Sequence, residues 1–280
     1  MAKQQLNLAL SFLQSHPASA AATLEQHPIE DVARFLEEVP ATISVLVVQN
    51  LLPHFASRIC KLLPTTVVAG IFNELGIGQA AAILRHYSRE SRVEILDELP
   101  TKIQLGCTLL LDYSADMVGA WITPQVATIP YDYSVIQAFN HVNETTEIVQ
   151  SDSLFVISRE RNFKGRLKLI DLIRAPDNMP ISDLTTNNGE LLKARVRLTE
   201  VELHKDWKRF HEIPVVNRNQ KFIGVLCHTE LRKGLDQLKP DDNTLIRTDT
   251  NETISVVYGE AMLAIAESMT EILKLQKPSA

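Results

Sequence analysis

The sequence predicts a multidomain α+β protein: an N-terminal all-α helical solenoid, an α/β module made of two similar halves, and a C-terminal amphipathic helix. Three observations predict this architecture. Helix-breaking residues recur about every 12 positions in the first third of the chain. Strand-like runs then begin, in an order that is repeated once. An apolar stripe at helical spacing follows after residue 251.

Composition excludes several classes of protein. The 280 residues are 45% hydrophobic and 22% charged, which is typical of a globular chain with a real core. A net charge of −6 argues against a nucleic-acid or anionic-membrane partner, because such partners require clustered Lys and Arg. The three cysteines, Cys60, Cys107 and Cys227, lack metal-ligand spacing and suit buried, reduced thiols. We therefore expect a soluble cytoplasmic protein, and no apolar window is long enough to predict a membrane span.

The first third consists of short helices separated by breakers. A typical segment, "DVARFLEEV", places Val32, Phe35, Leu36 and Val39 on one helical face. The breakers that end such segments are Pro17, Pro28, Pro40, Pro53, Pro64, Gly76, Ser88 and Pro100. Helices of two or three turns are marginal alone, so a run of about eight predicts a stacked solenoid, almost wholly helical up to about Asp112.

The α/β module contains one pattern twice. Its first copy reads as "VATI", a helix over 134–142, "LFVIS", the turn "RERNF", "GRLKLI" and a helix opening at Asp171. Its second copy reads as a helix over 199–210, "IPVVN", the turn "RNQK", "FIGVLC" and a helix from about Thr229. The two copies are offset by about 60 residues, which indicates an internal duplication.

These segments carry a family resemblance. "IPVVNRNQKFIGVLCHTEL" resembles the core of a CBS motif, and "LFVISRERNFKGRLKLIDLI" resembles a weaker first copy. The junction "YSADMVGAWITPQVATIPYDYSVIQAFNHV" and the Pro-punctuated helices before it are similar to MgtE-type magnesium transporters, although short Pro-spaced helices also occur in flagellar-motor switch proteins. The resemblance implies the cytosolic half of such a transporter without its transmembrane domain. The boundaries it implies are 1–112 for the N-domain-like superhelix, 113–120 for a connecting segment, 121–177 and 178–240 for two CBS motifs, and 251–276 for the last helix.

The resemblance also points to candidate nucleotide-binding residues. CBS pairs that bind adenosyl nucleotides carry G-h-h-[ST]-x-x-D, in which a hydroxyl meets phosphate and a carboxylate meets the ribose. The first copy has Lys168 for the hydroxyl and keeps Asp171, and the second has Cys227 and Glu230. The full candidate set is Arg166, Lys168, Asp171, Cys227, Thr229 and Glu230. The alternative is that Lys168 is a solvated strand-end cation and that both acids only begin helices.

Magnesium is a further open alternative. In the transporters, carboxylates of the N domain and CBS pair bind Mg²⁺, which prefers oxygen ligands. The solenoid offers Glu25, Glu30, Asp31, Glu94, Asp97 and Glu98. The paired aspartates of the family, however, correspond here to Glu90, Ser91 and Arg92, which places a cation among them. Because acids on short helices are also ordinary solvated faces, we predict no metal ligand from this set.

No nucleophile elbow, P-loop or dinucleotide fingerprint is recognisable, so the sequence predicts a protein that is not an enzyme. The function it favours is regulatory or scaffolding, through a homodimer formed by CBS helices, with Leu203, Trp207, Leu231 and Leu235 as contributors. The alternative is a sensor that binds an adenine nucleotide or Mg²⁺. A third hypothesis is docking in trans on a transporter or a motor-like partner, through the solenoid or the last helix.

The C-terminal segment "NETISVVYGEAMLAIAESMTEILKLQKPSA" predicts an amphipathic helix that begins near Thr253 and ends at Lys277 and Pro278. Its apolar stripe has to be covered, either by the same chain or by a second subunit or partner. We expect this helix to add to the homodimer that the CBS pair makes.

Overall fold

The computed structural model describes residues 2–144, 153–187 and 189–238. These residues form two compact units, of which one extends to Thr108 and the other begins at Leu109. The predicted C-terminal helix lies outside the described residues. In the described ranges, no helix has both the length and the apolar character needed to cross a membrane.

The first unit is helical throughout its described residues, as predicted for the chain before Asp112. Nine helices run through residues 2–111. They are α1 Ala2–Ser15, α2 Pro17–Leu24, α3 Ile29–Glu38, α4 Ala41–Val48, α5 Pro53–Cys60, α6 Thr65–Leu75, α7 Ile77–Leu84, α8 Arg89–Asp97 and α9 Thr101–Leu111. The last of them crosses the division between the two units.

The predicted breakers stand where these helices begin. Pro17 and Pro53 lie in the first turn of α2 and α5, where a missing N–H costs nothing. Pro28, Pro40 and Pro64 are the N-cap residues of α3, α4 and α6. The sequence therefore sets the helix starts of the solenoid.

Neighbouring helices bury one stripe each. In α3, Val32, Phe35 and Leu36 are fully buried, whereas Glu37 and Glu38 on the same helix are exposed. Helix α4 packs against α1, α2 and α6, and α5 packs against α3 and α7. Each helix thus shares its core with its neighbours, which is the solenoid arrangement.

The second unit contains two small sheets and five helices among its described residues. Its strands are β1 Thr128–Pro130, β2 Ser153–Ile157, β3 Phe163–Lys168, β4 Leu192–Lys193, β5 Glu212–Val216 and β6 Phe222–Cys227. Its helices are α10 Val135–Glu144, α11 Leu169–Arg174, α12 Ile181–Leu184, α13 Leu198–Val201 and α14 His228–Leu238. Short 3₁₀ turns lie at Val118–Ala120 and Lys205–Lys208.

The two sheets repeat one design. Strand β1 is parallel to β2, which is antiparallel to β3, and β4, β5 and β6 are arranged in the same way. Each hairpin has a register shift at an equivalent place, after Val156 and after Val215. Each hairpin turn also contains one left-handed residue, Arg161 or Gln220. The structure therefore confirms the duplication.

Three details differ from the prediction. The predicted helix over 199–210 is interrupted after α13, because the His204 side chain caps the 3₁₀ turn by accepting a hydrogen bond from the Asp206 amide. Helix α11 begins at Leu169 rather than at Asp171, so Asp171 lies in its first turn. The two-residue strand β4 and the four-residue helix α12 were not predicted, since elements this short carry no periodic signal.

Each repeat receives a crossing segment from the other part of the unit. Thr123, which precedes the first repeat, exchanges backbone hydrogen bonds with Val225 of β6. Thr186, which precedes β4, makes the equivalent exchange with Arg166 of β3. Phe155 of the first sheet and Phe222 of the second stack with their rings 5.7 Å apart, so the faces of the two repeats share a core.

Candidate functional site

The candidate residues lie at two equivalent positions, where β3 leads into α11 and where β6 leads into α14. We call Lys168, Asp171 and Thr186 the first strand-end site, and Cys227, Glu230 and Thr123 the second strand-end site. The fold makes both from the same parts: a strand end, the first turn of a helix and the threonine of a crossing segment.

The first strand-end site keeps an accessible cation and an accessible carboxylate. Lys168 and Asp171 are both exposed, and Lys168 occupies the N-cap position of α11 without a side-chain capping bond. The Thr186 hydroxyl donates to the carbonyl oxygen of Arg166, which holds the crossing segment against β3. This site offers one positive and one negative group to solvent within a single turn of the helix.

In the second strand-end site, the candidate side chains already contact other side chains of the unit. Burial raises the pKa of the Cys227 thiol, and the contact with the Thr123 hydroxyl, at 3.8 Å, opposes this rise. Glu230 accepts a hydrogen bond of 2.7 Å from Lys233, one turn along α14. Thr229 is exposed. A neutral thiol and a paired carboxylate are poor substitutes for the hydroxyl and free carboxylate of a nucleotide site.

Arg166 lies apart from the exposed groups of the first strand-end site. Only 5% of its surface is accessible, and its guanidinium Nη2 donates a 2.8 Å hydrogen bond to the carbonyl oxygen of Glu212 in the second sheet. The guanidinium carbon lies 4.0 Å from the ring centre of Phe210 and 5.5 Å from that of Phe155. Of the candidate nucleotide-binding residues, Arg166 is thus the one whose charged group is buried and bonded inside the unit.

Two buried acids lie around Arg166, and the sequence did not single out either. Burial lowers the pKa of the Arg166 guanidinium, while the nearby Glu212 and Asp206 carboxylates act in the opposite direction. Asp206 is 4% accessible and accepts a 2.8 Å hydrogen bond from the Glu190 amide. Glu212 is the one charged residue of the buried strand β5, and this is the sequence signal that could have revealed the network.

The solenoid acids proposed for magnesium have ordinary structural roles. Glu25 accepts a hydrogen bond from the Leu52 amide, and Asp97 accepts one from Gln104. Glu30 and Asp31 lie in the first turn of α3, where acids favour the helix dipole. Glu94 and Glu98 are exposed. Within residues 2–144, 153–187 and 189–238, no three His, Cys, Asp or Glu side chains converge in a way that would hold a metal ion.

An exposed apolar face lies on α10 and α11, which pack against each other. Ile136 and Phe139 on α10, and Ile170 and Ile173 on α11, are between 40% and 58% accessible. We call these four side chains the α10/α11 face. Large apolar side chains that are clustered and exposed typically mark an interaction surface.

The residues that the sequence suggested for a dimer are placed differently. Leu231 and Leu235 of α14 are buried inside the unit, so the prediction that they contact a second subunit is wrong. Trp207 is partly buried and donates its indole N–H to the Val201 carbonyl oxygen. Leu203 is 93% exposed. It belongs to the second repeat, whereas the α10/α11 face belongs to the first.

The N-terminal part of this chain matches the model of a known protein family. Residues 15–116 match the family model described as the MgtE intracellular N domain. The predicted resemblance to MgtE-type transporters is confirmed. The magnesium transporter MgtE of Bacillus subtilis strain 168 is 23% identical over 211 residues, which are 75% of this chain and 47% of the relative. The chain thus spans about half the length of that curated MgtE.

Solved structures match the fold over both units. The cytosolic domain of the Mg²⁺ channel MgtE in complex with ATP has a TM-score of 0.68 and 20% identity, and the match covers 82% of this chain and 93% of that one. The soluble part of a magnesium transporter has a TM-score of 0.57 and 16% identity, over 86% and 100% of the two chains. The fold is therefore that of an MgtE-like N domain followed by a CBS pair, and the exact domain boundaries stay predictions.

Proposed function

We propose that this chain is a non-enzymatic, cytoplasmic regulatory module related to the cytosolic half of MgtE, and that it works as a homodimer formed through the α10/α11 face. The observation that carries the dimer is the exposure of Ile136, Phe139, Ile170 and Ile173 on two helices that pack together. A second copy of the same face would cover all four side chains on each subunit.

The energetics favour a symmetric interface at this face. In a two-fold dimer every residue of the face is used twice, once on each subunit. Burying the exposed half of an Ile or Phe side chain contributes about 1 kcal/mol. Eight such side chains, with a polar rim of Gln137, Asn140 and Asn143 from α10, match the composition of known interface cores.

The test is the mass of charge-substituted variants by light scattering after size-exclusion chromatography. Phe139→Glu and Ile173→Glu each place two like charges in the proposed interface, and we expect both variants to be monomeric at concentrations where the unmodified chain is dimeric. Because both side chains are exposed within a single chain, both variants should still fold, with a melting temperature lowered only by the stabilisation that the dimer provides.

Leu203→Glu is the matched control, since Leu203 is also a large, exposed apolar side chain but lies on the second repeat. It should leave the dimer intact. Equal dissociation in all three variants would contradict a specific role for the α10/α11 face.

A second candidate function is a nucleotide sensor. It is supported by the first strand-end site, where Lys168 and Asp171 are both exposed, and by the fold match to an MgtE cytosolic domain in complex with ATP. The replacement of the hydroxyl by Lys168 and the internal bond of Arg166 favour weak binding.

Calorimetric titration with ATP, ADP and AMP distinguishes the two candidates. Micromolar affinity that is lost in Asp171→Ala but kept in Asp177→Ala, an exposed acid beyond α11, would favour the sensor. No heat of binding at about millimolar nucleotide would leave the scaffold function as the better account.

A further inference from the structure

Basic residues of the solenoid are concentrated in two short stretches. Five of the eight Lys and Arg residues between positions 1 and 108 lie within 54–61 and 85–92, and Glu90 is the only carboxylate of these two stretches. The first stretch is α5 with the residue that follows it, and the second joins the end of α7 to the start of α8. Helices α5 and α7 pack against each other, so the stretches are neighbours in space.

Three basic side chains of the first stretch share one helical face. His54, Arg58 and Lys61 stand at positions i, i+4 and i+7, and all three are exposed. Lys61 still has helical backbone angles, so the spacing holds to the end of the row. Seven residues of helix extend the row over about 10 Å. Residues at this spacing are neighbours along one side of a helix.

The second stretch meets this row at its end. The Lys61 ammonium donates a 2.7 Å hydrogen bond to the carbonyl oxygen of His86 and lies 5.1 Å from the ring centre of Tyr87. Burial lowers the pKa of the His86 imidazole, and the charges of His54, Lys61 and Arg85 lower it further. The side chains that lower the pKa of His86 are thus all basic. We call His54, Arg58, Lys61 and His86 the basic strip.

Only some of these clustered basic residues have a role in stabilising the solenoid. Arg92 donates to the carbonyl oxygens of Leu84, Arg85 and Tyr87, which satisfies the end of α7. Lys61 also donates to the carbonyl oxygen of His86, two residues beyond the end of α7. Arg58 lies in the last turn of α5, where a cation favours the helix dipole, but its exposed side chain takes no part in this capping.

We propose that the basic strip docks an acidic segment of a protein partner. Its basic side chains lie in a row along one helical face, whereas a single phosphate requires donors that converge on one point. Nucleic acid is disfavoured because specific binding uses about 6–10 phosphate contacts, and a membrane surface is disfavoured because it typically requires about 4–8 clustered Lys and Arg. Carboxylates one helical turn apart match the spacing of the row.

The experiment measures the binding of a fluorescein-labelled ten-residue polyglutamate peptide to the full chain by fluorescence anisotropy. Binding is expected at low salt and should weaken steeply as NaCl is added. Arg58→Glu removes one attraction and adds one repulsion, so we expect an affinity loss of about tenfold, and His54→Glu should act in the same direction. Lys102→Glu, an exposed cation on α9 of the same unit, is the matched control and should change the affinity less than about twofold.

Three results would overturn the proposal: no peptide binding at low salt, an equal loss in Lys102→Glu, or stronger binding to phosphatidylserine vesicles or to inorganic phosphate than to the peptide. The dimer proposed above is tested independently. Arg58→Glu should keep the mass of the unmodified chain, whereas Phe139→Glu should become monomeric and still bind the peptide.

Discussion

Arg166 and Glu212 join the two repeats of the second unit through one hydrogen bond of 2.8 Å, from a buried guanidinium to a backbone carbonyl oxygen. The equivalent of Arg166 in the second repeat is Val225, which is also fully buried. The bond is therefore made once, and it breaks the symmetry of the duplicated module. A group that could have served a ligand instead connects the halves of the protein.

We predict that Arg166→Ala lowers the free energy of unfolding by about 3 kcal/mol, because it removes a buried cation next to the Glu212 and Asp206 carboxylates. Arg166→Lys should recover only part of the loss, since an ammonium cannot stack on Phe210 as a planar guanidinium does. Urea denaturation, followed through the unfolding transition of the second unit, measures the change in the free energy of unfolding for both variants.

Lys164→Ala is the control on the same strand, because Lys164 is exposed and should cost less than about 0.5 kcal/mol. If Arg166→Ala were as mild as this control, Arg166 would not be a structural cation.

Gly165 and Gly224 are predicted to tolerate no side chain. A Cβ added at Gly165 would lie 2.7 Å from the carbonyl oxygen of Thr186, and one at Gly224 would lie 2.4 Å from that of Thr123. Each substitution by Ala should therefore displace a crossing segment and destabilise the unit by about 2 kcal/mol or more. Thermal unfolding of both variants checks this.

Gly78→Ala is the opposite case. Gly78 lies in α7 with nothing within 4 Å of an added Cβ, so this change should raise the stability of the solenoid by up to about 1 kcal/mol. Destabilisation by Gly78→Ala, or tolerance at Gly165 and Gly224, would contradict the packing described here.

Acidification should destabilise the solenoid through His86. The folded chain holds the pKa of His86 below its usual value, so the unfolded chain binds the proton more tightly. This contribution is fully present above about pH 6.5 and is lost as pH falls through that value towards the folded pKa. The melting temperature of His86→Asn should fall less between about pH 7.5 and pH 5.5 than that of the unmodified chain.

Lys61→Ala removes one of the cations that lower the pKa of His86, so it should also reduce the loss on acidification. A pH dependence that is the same in all three proteins would show that His86 does not contribute.

Magnesium at about 5 mM should shift the melting temperature by less than about 1 °C relative to an equal ionic strength of NaCl. The physical reason is that Glu25 and Asp97 are engaged in hydrogen bonds, and Asp31 lies 3.9 Å from Arg34. A saturable shift of several degrees that is abolished by Asp97→Asn would favour a Mg²⁺ sensor instead.

The repeated elements of the fold were predictable because their signals are local. Pro28, Pro40 and Pro64 set helix starts, and "FIGVLC" coincides with β6 residue for residue. The break within 199–210 was not predictable, since it depends on a capping bond between His204 and Asp206. Propensity says nothing about such side-chain bonds until the chain is folded.

The candidate site was predicted only in part. The motif positions Lys168, Asp171, Cys227 and Glu230 do fall at equivalent strand ends, because the spacing from each glycine is a property of the repeat. The internal role of Arg166 depends on Glu212, 46 residues away, and the burial of Leu231 depends on how α14 packs on its repeat. Contacts over such separations are set by tertiary packing, which no short motif encodes.

Sedimentation equilibrium of the unmodified chain over a range of concentrations tests the central claim most directly. A homodimer through the α10/α11 face predicts a mass of twice the 31.4 kDa chain at micromolar concentration, with reversible dissociation on dilution. A mass of 31.4 kDa at every concentration would contradict the claim, because the exposed side chains of α10 and α11 would then have no second copy to cover them.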